Sequence, residues 1–428
     1  SLGPYQTRVL LDLRELSDGD GRYHALAAEL GERGVPSVEE ALLEMALRPL
    51  HAPFAALLAP DLTAALLAPA ASPEEESWWR AAATALPEAE REEELPDSDT
   101  DEEQAPDEPE AEGETVSPPL ADDASAEAPT KRAPEAAEEA VALSLAVDAE
   151  DGAGDEVPSE PAVDDHEPAA SETVATGPPE PARRLEATLA TALRAAAEEA
   201  GIPEADREAA IAAVTAGVLP GVARLRALVA AARSDEESPA AARLRAAFGP
   251  GEREAGLLAW LLLRDLGRLA GEAETGTAAT AVRERTAAWF DDWRLGRVVA
   301  RQLAAGGLSP AAAERAVQAV RLLFLLERPG ARAAAAEVPA LFAEAAACAP
   351  GRTLLGIHPY DGVVWLRREG LDELTAWLLL AARLETQDAT AGEIAAAGGR
   401  VLAARAERAG YRLEPLLRTL TGEPDADA

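Results

Sequence analysis

The chain has 428 residues, of which 48% are hydrophobic but only 4% are aromatic, and its formal net charge is −39. Alanine and leucine dominate the hydrophobic residues, a mixture that is typical of closely packed helices and unfavourable for a large β-sandwich. Because negative charge repels phosphate, we expect neither nucleic acid nor a membrane surface as a partner. The single cysteine, Cys348, excludes an intrachain disulfide framework.

Residues 1–85 are predicted to form an N-terminal helical segment. Tyr5 to Leu13 has the character of a short strand, and a helical pattern follows it and ends at Gly31. Ser37 is a typical N-cap for a second helix, with two glutamates in the first turn. A further capped helix is predicted at SPEEESWWRAAATAL, and prolines are expected to break the sequence before it into short pieces, at Pro49, Pro53, Pro60 and Pro69. A segment this short buries little apolar surface, so we expect it to dock on something larger.

Residues 86–181 are predicted to be an acidic disordered linker. Positions 88–180 carry 32 Asp or Glu and three basic residues, a net charge of −29. So much like charge with so few apolar residues cannot offset the entropy of ordering the chain. Residues 133–147 are the exception and favour a transient helix. An acidic interaction tail or a metal-buffering region is the alternative, although the acidic and histidine residues at 164–167 lack the spacing of a metal site.

Residues 182–428 are predicted to be the main all-α domain, an irregular multi-helix array with one or two short strands. Start and stop signals place its helices at 182–200, 203–216, 220–233, 238–248, 251–271, 278–290, 292–305, 309–327, 331–348, 367–385, 390–408 and 412–420. The helix at 309–327 has the broadest apolar face, formed by Val317, Val320, Leu323, Phe324 and Leu326, which predicts a central position.

One pair of neighbouring carboxylates is a candidate for catalysis or cation binding. Asp291 and Asp292 stand between Trp289 and Trp293, and two carboxylates can act as acid and base or bind a cation. Neighbouring residues on a helix do not face each other, however, so we expect the aspartates to cap a helix start and the tryptophans to lie in the core. The sequence contains no known catalytic loop, and its four histidines share no ligand spacing. We therefore predict no catalytic residue, no metal site and no cofactor.

A strand–turn element is predicted near 353–366, in the sequence IHPYDGVVWLRRE. Pro359 to Gly362 forms a turn signal, and Val363 to Trp365 favours a short extended segment before the next helix. A Tyr and a Trp near a turn can contact a sugar or a partner protein, or they can anchor the loop to the domain beneath it. The candidates for ligand or partner contact are His358, Tyr360, Asp361 and Trp365.

Three segments carry a family resemblance, at 9–54, 289–317 and 354–385. They resemble the helical region after the catalytic barrel of large bacterial α-amylase-type glycoside hydrolases, in which a signature of the form GVNE-aromatic-xGVxWFNKExFEEL occurs. The third segment departs from that signature, since His358 and Pro359 replace its Asn-Glu pair and residues 366–368 replace its Phe-Asn-Lys. No run of alternating strands and helices matches the (β/α)₈ barrel itself, so no catalytic residue is carried over.

The resemblance implies a non-catalytic, structural accessory region of an α-amylase-like glycosidase, one that supports a catalytic barrel absent from this chain or joins subunits. The expected partners are that barrel or another protein surface, and carbohydrate through the parent enzyme. The alternative is a stand-alone acidic scaffold or regulatory protein that recruits partners; an independent carbohydrate-acting enzyme is a third reading. The longest apolar runs, 257–263 and 374–382, are shorter than the roughly 20 residues needed to span a bilayer. With no signal peptide visible and a start at Ser1 that looks cut, a cytoplasmic location is the expectation.

Overall fold

The computed structural model describes residues 17–31, 33–84, 177–234, 237–249, 252–271, 278–386, 388 and 390–421. The regular secondary structure of these residues is helical apart from one two-stranded antiparallel sheet, which confirms the all-α prediction. The strand predicted at Tyr5 to Leu13 lies outside the described residues. So do the predicted linker as far as residue 176, its helix at 133–147 and its acidic and histidine residues at 164–167.

The described residues before position 85 form five helices. They are α1 (Arg22–Leu30), α2 (Val38–Ala46), α3 (Arg48–Leu57), α4 (Pro60–Leu67) and α5 (Pro73–Thr84). The predicted cap of α2 is confirmed, because the Ser37 hydroxyl accepts a hydrogen bond from the backbone N–H of Glu40 at 3.1 Å. The predicted break at Pro53 is wrong, since α3 continues through this proline. Burial of Leu50, Phe54 and Leu57 on one face of α3 outweighs the backbone hydrogen bond that Pro53 removes.

The helices after residue 176 form the larger part of the described structure. They are α6 (Glu180–Glu199), α7 (Glu204–Arg233), α8 (Pro239–Phe248), α9 (Glu252–Leu263), α10 (Ala278–Asp292), α11 (Leu295–Ala305), α12 (Pro310–Leu325), α13 (Pro329–Ala334), α14 (Val338–Ala347), α15 (Ala349–Leu355), α16 (Arg368–Glu385), α17 (Ala391–Arg408) and α18 (Leu413–Thr421). A 3₁₀ helix, Leu266–Ala270, follows α9, and strands β1 (His358–Tyr360) and β2 (Val363–Trp365) lie between α15 and α16.

Helix α7 is continuous where the sequence predicts two helices. The expected interruption at Gly217 to Leu219 is wrong, and Pro220 lies inside the helix. The small residue Gly221 lets α7 approach α9 closely, because an added Cβ there would lie 3.0 Å from the side chain of Leu261. Burial of Val218 and Val222 on both sides of the proline then stabilises the helix across the predicted break.

Two other predicted helices differ from the elements that the structure shows. The one predicted at 331–348 is divided into α13 and α14, because Ala336 between them has a φ of 65°, which an α-helix cannot accommodate. The one predicted at 251–271 becomes a 3₁₀ helix after Leu263. Here the backbone N–H of Gly267 donates at 2.9 Å to the hydroxyl of Thr286, which lies on α10. Helix α15 was not predicted, although Pro350 at its start is a typical first-turn residue.

The core is built around α12, as its broad apolar face predicts. All five residues of that face are buried, and α12 packs against α9, α10, α11 and α15. Glycines bring the neighbouring helices of the second half together. An added Cβ at Gly330 of α13 would overlap the carbonyl oxygen of Ala381 on α16, and one at Gly399 of α17 would overlap the side chain of Thr375. Small residues therefore set the close spacing of α13, α16 and α17.

The helices on the two sides of the acidic segment belong to one unit, which consists of Ser1–Glu94 and Val174–Ala428. Helix α3 packs on α6, and α5 packs on α7. The buried guanidinium of Arg226 on α7 donates to the Leu66 carbonyl at 2.6 Å and lies 4.5 Å from the ring centre of Trp79. The first described helices thus share one core with the helices that follow residue 176.

Among the described residues, two stretches are long and apolar enough to cross a membrane by length and composition alone, Arg48–Leu67 and Glu204–Arg233. Neither coincides with the longest apolar runs of the sequence, 257–263 and 374–382. Within the fold, 44% of the first and 56% of the second is buried. Core helices of soluble proteins meet the same criterion, so the two stretches are weak evidence, and the cellular location stays a prediction.

Candidate functional site

The strand–turn element forms a β-hairpin at the surface. Strands β1 and β2 are antiparallel, with His358 opposite Trp365 and Tyr360 opposite Val363. Asp361 and Gly362 make a two-residue connection in which both residues have positive φ, 50° and 75°. This is the pattern of a type I′ turn, whose twist matches that of the strands. The predicted turn is therefore shorter than expected, because Pro359 and Tyr360 belong to β1.

Alternation along the strands gives the hairpin two different faces. Side chains of a strand point alternately to opposite sides, and residues paired across a ladder share a side. His358, Tyr360, Val363 and Trp365 therefore share the outward face, which we call the hairpin platform. Val364, on the other face, packs against the core. The structure thus brings His358, Tyr360 and Trp365 together, with Asp361 beside them in the turn.

The platform combines the exposed Tyr360 and the half-buried Val363 and Trp365 with fixed polar groups. Tyr360 is 71% exposed. The indole Nε1 of Trp365 donates to the Tyr360 carbonyl oxygen at 3.3 Å. His358 Nδ1 lies 2.9 Å from the carbonyl oxygen of Gly356, and because a carbonyl only accepts, Nδ1 carries the proton. In the neutral ring Nε2 then remains as an acceptor.

Three backbone contacts hold the hairpin on the helical domain. The N–H of Leu366 donates to the carbonyl of Tyr411 at 3.0 Å, and the N–H of Arg367 donates to that of Leu355 at 3.0 Å. Trp365 also forms an isolated antiparallel bridge with Arg412. Leu366, directly after β2, is only 4% exposed. The base of the hairpin is thus anchored on the helices while Tyr360 on its outward face stays exposed, and contact of this face with a ligand or partner stays a prediction.

The aspartate pair between the tryptophans does not cap a helix. Asp291 and Asp292 are the last residues of α10, and the residue before α11 is Arg294, which makes no capping bond with its side chain. The predicted cap is therefore wrong. Asp291 instead accepts a hydrogen bond from Nε of Arg321 on α12 at 2.8 Å. Trp293 is buried as predicted, whereas Trp289 is only half-buried and packs against the core. Their rings stack with centres 4.7 Å apart.

One buried histidine was missed by the sequence analysis. His51 of α3 is 6% exposed, and its Nε2 lies 2.7 Å from the carbonyl oxygen of Trp293. Its Nδ1 is buried without a hydrogen-bond partner among the described residues. The ring lines an open groove of about 410 Å³ between α1, α2, α3 and α11. The only sequence signal was its place between Leu50 and Phe54 on the apolar face of α3, which does not distinguish a core histidine from a ligand-binding one.

The buried ionisable groups are engaged in holding helices together. Burial lowers the pKa of Arg226, an effect that Glu75 and Glu76 partly offset. Burial raises the pKa of Glu385, which accepts hydrogen bonds from the backbone N–H groups of Gly330 and Ala331, each at 3.0 Å. The described residues contain no group of three His, Cys, Asp or Glu that could hold a metal ion. The prediction that the chain has no catalytic residue is not tested by these contacts.

Comparison with protein-family models, with curated proteins and with solved structures gave no match to this chain.

Proposed function

We propose that this protein is a non-catalytic helical region that supports the catalytic barrel of an α-amylase-like glycosidase. The observation that carries the proposal is that the three segments with the family resemblance are neighbours in space. Residues 22–54 and 289–317 meet at the contact between His51 and the Trp293 carbonyl. Arg297 and Glu40 add an ion pair between the same two segments at 3.1 Å.

The third segment meets the second at Gly256 of α9. An added Cβ at this glycine would lie 2.7 Å from the ring of Trp377 and 3.5 Å from the Cβ of Ala316. Trp377 belongs to the third segment and Ala316 to the second, so both pack on the same point of α9. A resemblance shared by segments that are distant in sequence but adjacent in the fold supports inheritance of a whole helical unit, more than chance similarity of helical sequences would.

The packing of the third segment suits a supporting role. Arg253 of α9 and Glu373 of α16 form a partly buried ion pair with two hydrogen bonds, and the indole N–H of Trp377 donates to the same carboxylate at 2.7 Å. Paired buried charges fix the relative position of two helices. The absence of matches in the comparisons gives the proposal no support, so it depends on the three segments alone.

The test is to read the coding sequence on both sides of this chain and to assay the natural protein. We expect an in-frame (β/α)₈ barrel with its two carboxylates, and a lower midpoint of thermal inactivation of α-glucan hydrolysis when the helical region is deleted. A start codon next to Ser1 with no barrel following the chain would overturn the proposal. Cleavage of an α-glucan by the 428-residue chain alone would overturn the non-catalytic part of it.

The acidic scaffold is the second candidate, and the charge of residues 88–180, −29, is the observation that favours it. Such a segment attracts basic proteins through interactions that salt weakens. If this is the function, replacing its carboxylates by amides abolishes partner binding, and no barrel is encoded with the chain. Binding that is unaffected by amide replacement and by salt argues against it.

A further inference from the structure

We propose that the hairpin platform is a binding site for a short α-glucan chain. The choice of an α-linked glucan depends on the proposed function, whereas the choice of a carbohydrate follows from the platform itself. The site consists of the outward-facing side chains His358, Tyr360, Val363 and Trp365, with Asp361 at the turn.

The aromatic part of the platform suits the apolar face of a sugar ring. Tyr360, with 71% of its surface exposed, is the most exposed large hydrophobic residue that the structure describes, and Val401 follows at 48%. The face of an aromatic ring is negative, so it attracts the positively polarised C–H groups of a pyranose. The Trp365 indole N–H is already bonded to the Tyr360 carbonyl, which leaves stacking as the contribution of its ring.

The polar groups around the rings are mainly acceptors, which sugar hydroxyls require. His358 directs Nδ1 to the Gly356 carbonyl, so Nε2 is the atom left to accept a hydrogen bond. The Asp361 carboxylate forms no hydrogen bond or ion pair with any described residue, and an ionised carboxylate only accepts. The Tyr360 hydroxyl can both donate and accept. Such a mixture of stacking surface and a few polar groups is typical of small-ligand recognition.

The size of the platform favours a sugar over a protein. Three residues of strand span about 10 Å, and two paired strands are about 5 Å apart. A stable protein interface needs roughly 800 Å² from each partner, far more than this face presents. Addition of a peptide strand to the edge of β1 is also disfavoured. The pair that flanks a two-residue turn is hydrogen-bonded, so Pro359 directs its backbone outward, and it has no N–H to donate.

The hairpin is also ordered before any ligand arrives. Its turn, its two backbone hydrogen bonds to Tyr411 and Leu355 and the buried Leu366 fix the strands on the helices. A ligand therefore does not have to order the backbone of its site, which lowers the entropic cost of binding.

Calorimetric titration of the full chain with maltoheptaose tests the inference, with the β-linked cellohexaose as the comparison sugar. Tyr360→Ala is the test variant, because so exposed a side chain can be removed without affecting the fold, and circular dichroism melting checks this. Tyr23→Ala is the control, a half-buried tyrosine on α1, outside the hairpin, whose ring centre lies 5.4 Å from the guanidinium carbon of Arg22. We expect maltoheptaose to bind, with affinity reduced about tenfold or more by Tyr360→Ala and unchanged by Tyr23→Ala.

The outcomes separate this inference from the proposed function. If the wild type does not bind maltoheptaose at millimolar concentration, or if Tyr360→Ala binds as the wild type does, the platform is not a sugar site. Binding of cellohexaose alone would overturn the α-linked assignment. If an in-frame barrel is found and the chain binds no sugar, the proposed function stands and the sugar site is rejected. A barrel that docks on the hairpin platform would have the same consequence. If sugar binding depends on Tyr360 and no barrel is encoded, the sugar site stands and the proposed function is rejected.

Discussion

His51 and Trp293 are 242 residues apart in the sequence, yet the His51 ring nitrogen Nε2 lies 2.7 Å from the Trp293 carbonyl oxygen. The contact joins α3, before the acidic segment, to the turn between α10 and α11. Because the carbonyl at the end of α10 has no further turn of helix to bond, the imidazole supplies its donor. The remaining ring nitrogen is buried without a partner in the part of the chain that the structure describes, so the hydrogen bond also determines which tautomer is present.

His51→Ala is expected to lower the free energy of unfolding by about 3 kcal/mol, through a cavity and an unsatisfied carbonyl. His51→Leu keeps most of the packing and is expected to lose only about 1–2 kcal/mol, the cost of the unpaired carbonyl. Urea unfolding followed by circular dichroism measures both values. The exposed His24, replaced by alanine, is the control and should leave the midpoint nearly unchanged. Equal midpoints for wild type and His51→Ala would show that the contact contributes nothing.

Arg226→Met is expected to cost about 3–4 kcal/mol, because it leaves buried acceptors without their donor. The arginine is 6% exposed and its partner Glu75 is 15% exposed, at 3.4 Å. Arg80→Met is the matched control, since its ion pair with Glu76 lies at the surface, and should cost less than about 0.5 kcal/mol. In a double-mutant cycle, Glu75→Gln should be less harmful in the Arg226→Met background than in the wild type. Simple additivity of the two substitutions would contradict a direct coupling.

Gly330→Ala tests the close packing of α13 on α16. An added Cβ would overlap the backbone of Ala381, which cannot move aside as a side chain can, so we expect a loss of about 2–4 kcal/mol. Gly34→Ala is the control, because no atom lies within 4 Å of the added Cβ and its φ is ordinary. Thermal melting compares the two. A Gly330→Ala variant as stable as Gly34→Ala would mean that the helices can separate without loss.

Glu385→Gln tests the effect of burial on the carboxylate at the start of α13. Burial raises the pKa of Glu385 above its ordinary value of 4.5. The folded state therefore binds the proton of the Glu385 carboxyl group more tightly than the unfolded state does. The contribution of Glu385 to stability is therefore most favourable at pH values below its pKa in the unfolded state. It is lost as the pH rises through its pKa in the folded state. Glutamine cannot ionise, so the stability of the variant relative to the wild type should increase from pH 4.5 upward. Melting temperatures measured across that range check this, and a difference independent of pH would contradict it.

Helix caps and turns, which depend only on neighbouring residues, could be predicted from the sequence. Ser37 is the N-cap of α2, as the sequence predicts, and Ser238 and Ser309 cap α8 and α12 in the same way. Asp361 and Gly362 form the turn of the hairpin because few other residue types adopt positive φ. The four contact candidates were identified from the same stretch, although the common face of His358, Tyr360 and Trp365 follows only from the strand register.

Long-range packing explains what the sequence did not predict. Pro53 and Pro220 lie inside helices because burial against other helices outweighs their local preference. The role assigned to Asp291 was wrong because its partner, Arg321, lies on another helix, 30 residues away. No local pattern contains the contact of His51 with Trp293, which exists only once α3 and the end of α10 have packed together.

The two ends of the acidic segment return to the same folded unit, since α5 before it packs on α7 after it. In topological terms the segment is an insertion into one domain, so its length does not set the distance between two folded bodies. For a flexible connection within one domain, each doubling of length costs only about 0.6 kcal/mol of stability. Proteolysis within the acidic segment would leave two fragments held together by α3, α5, α6 and α7, still migrating as one particle until denaturant separates them.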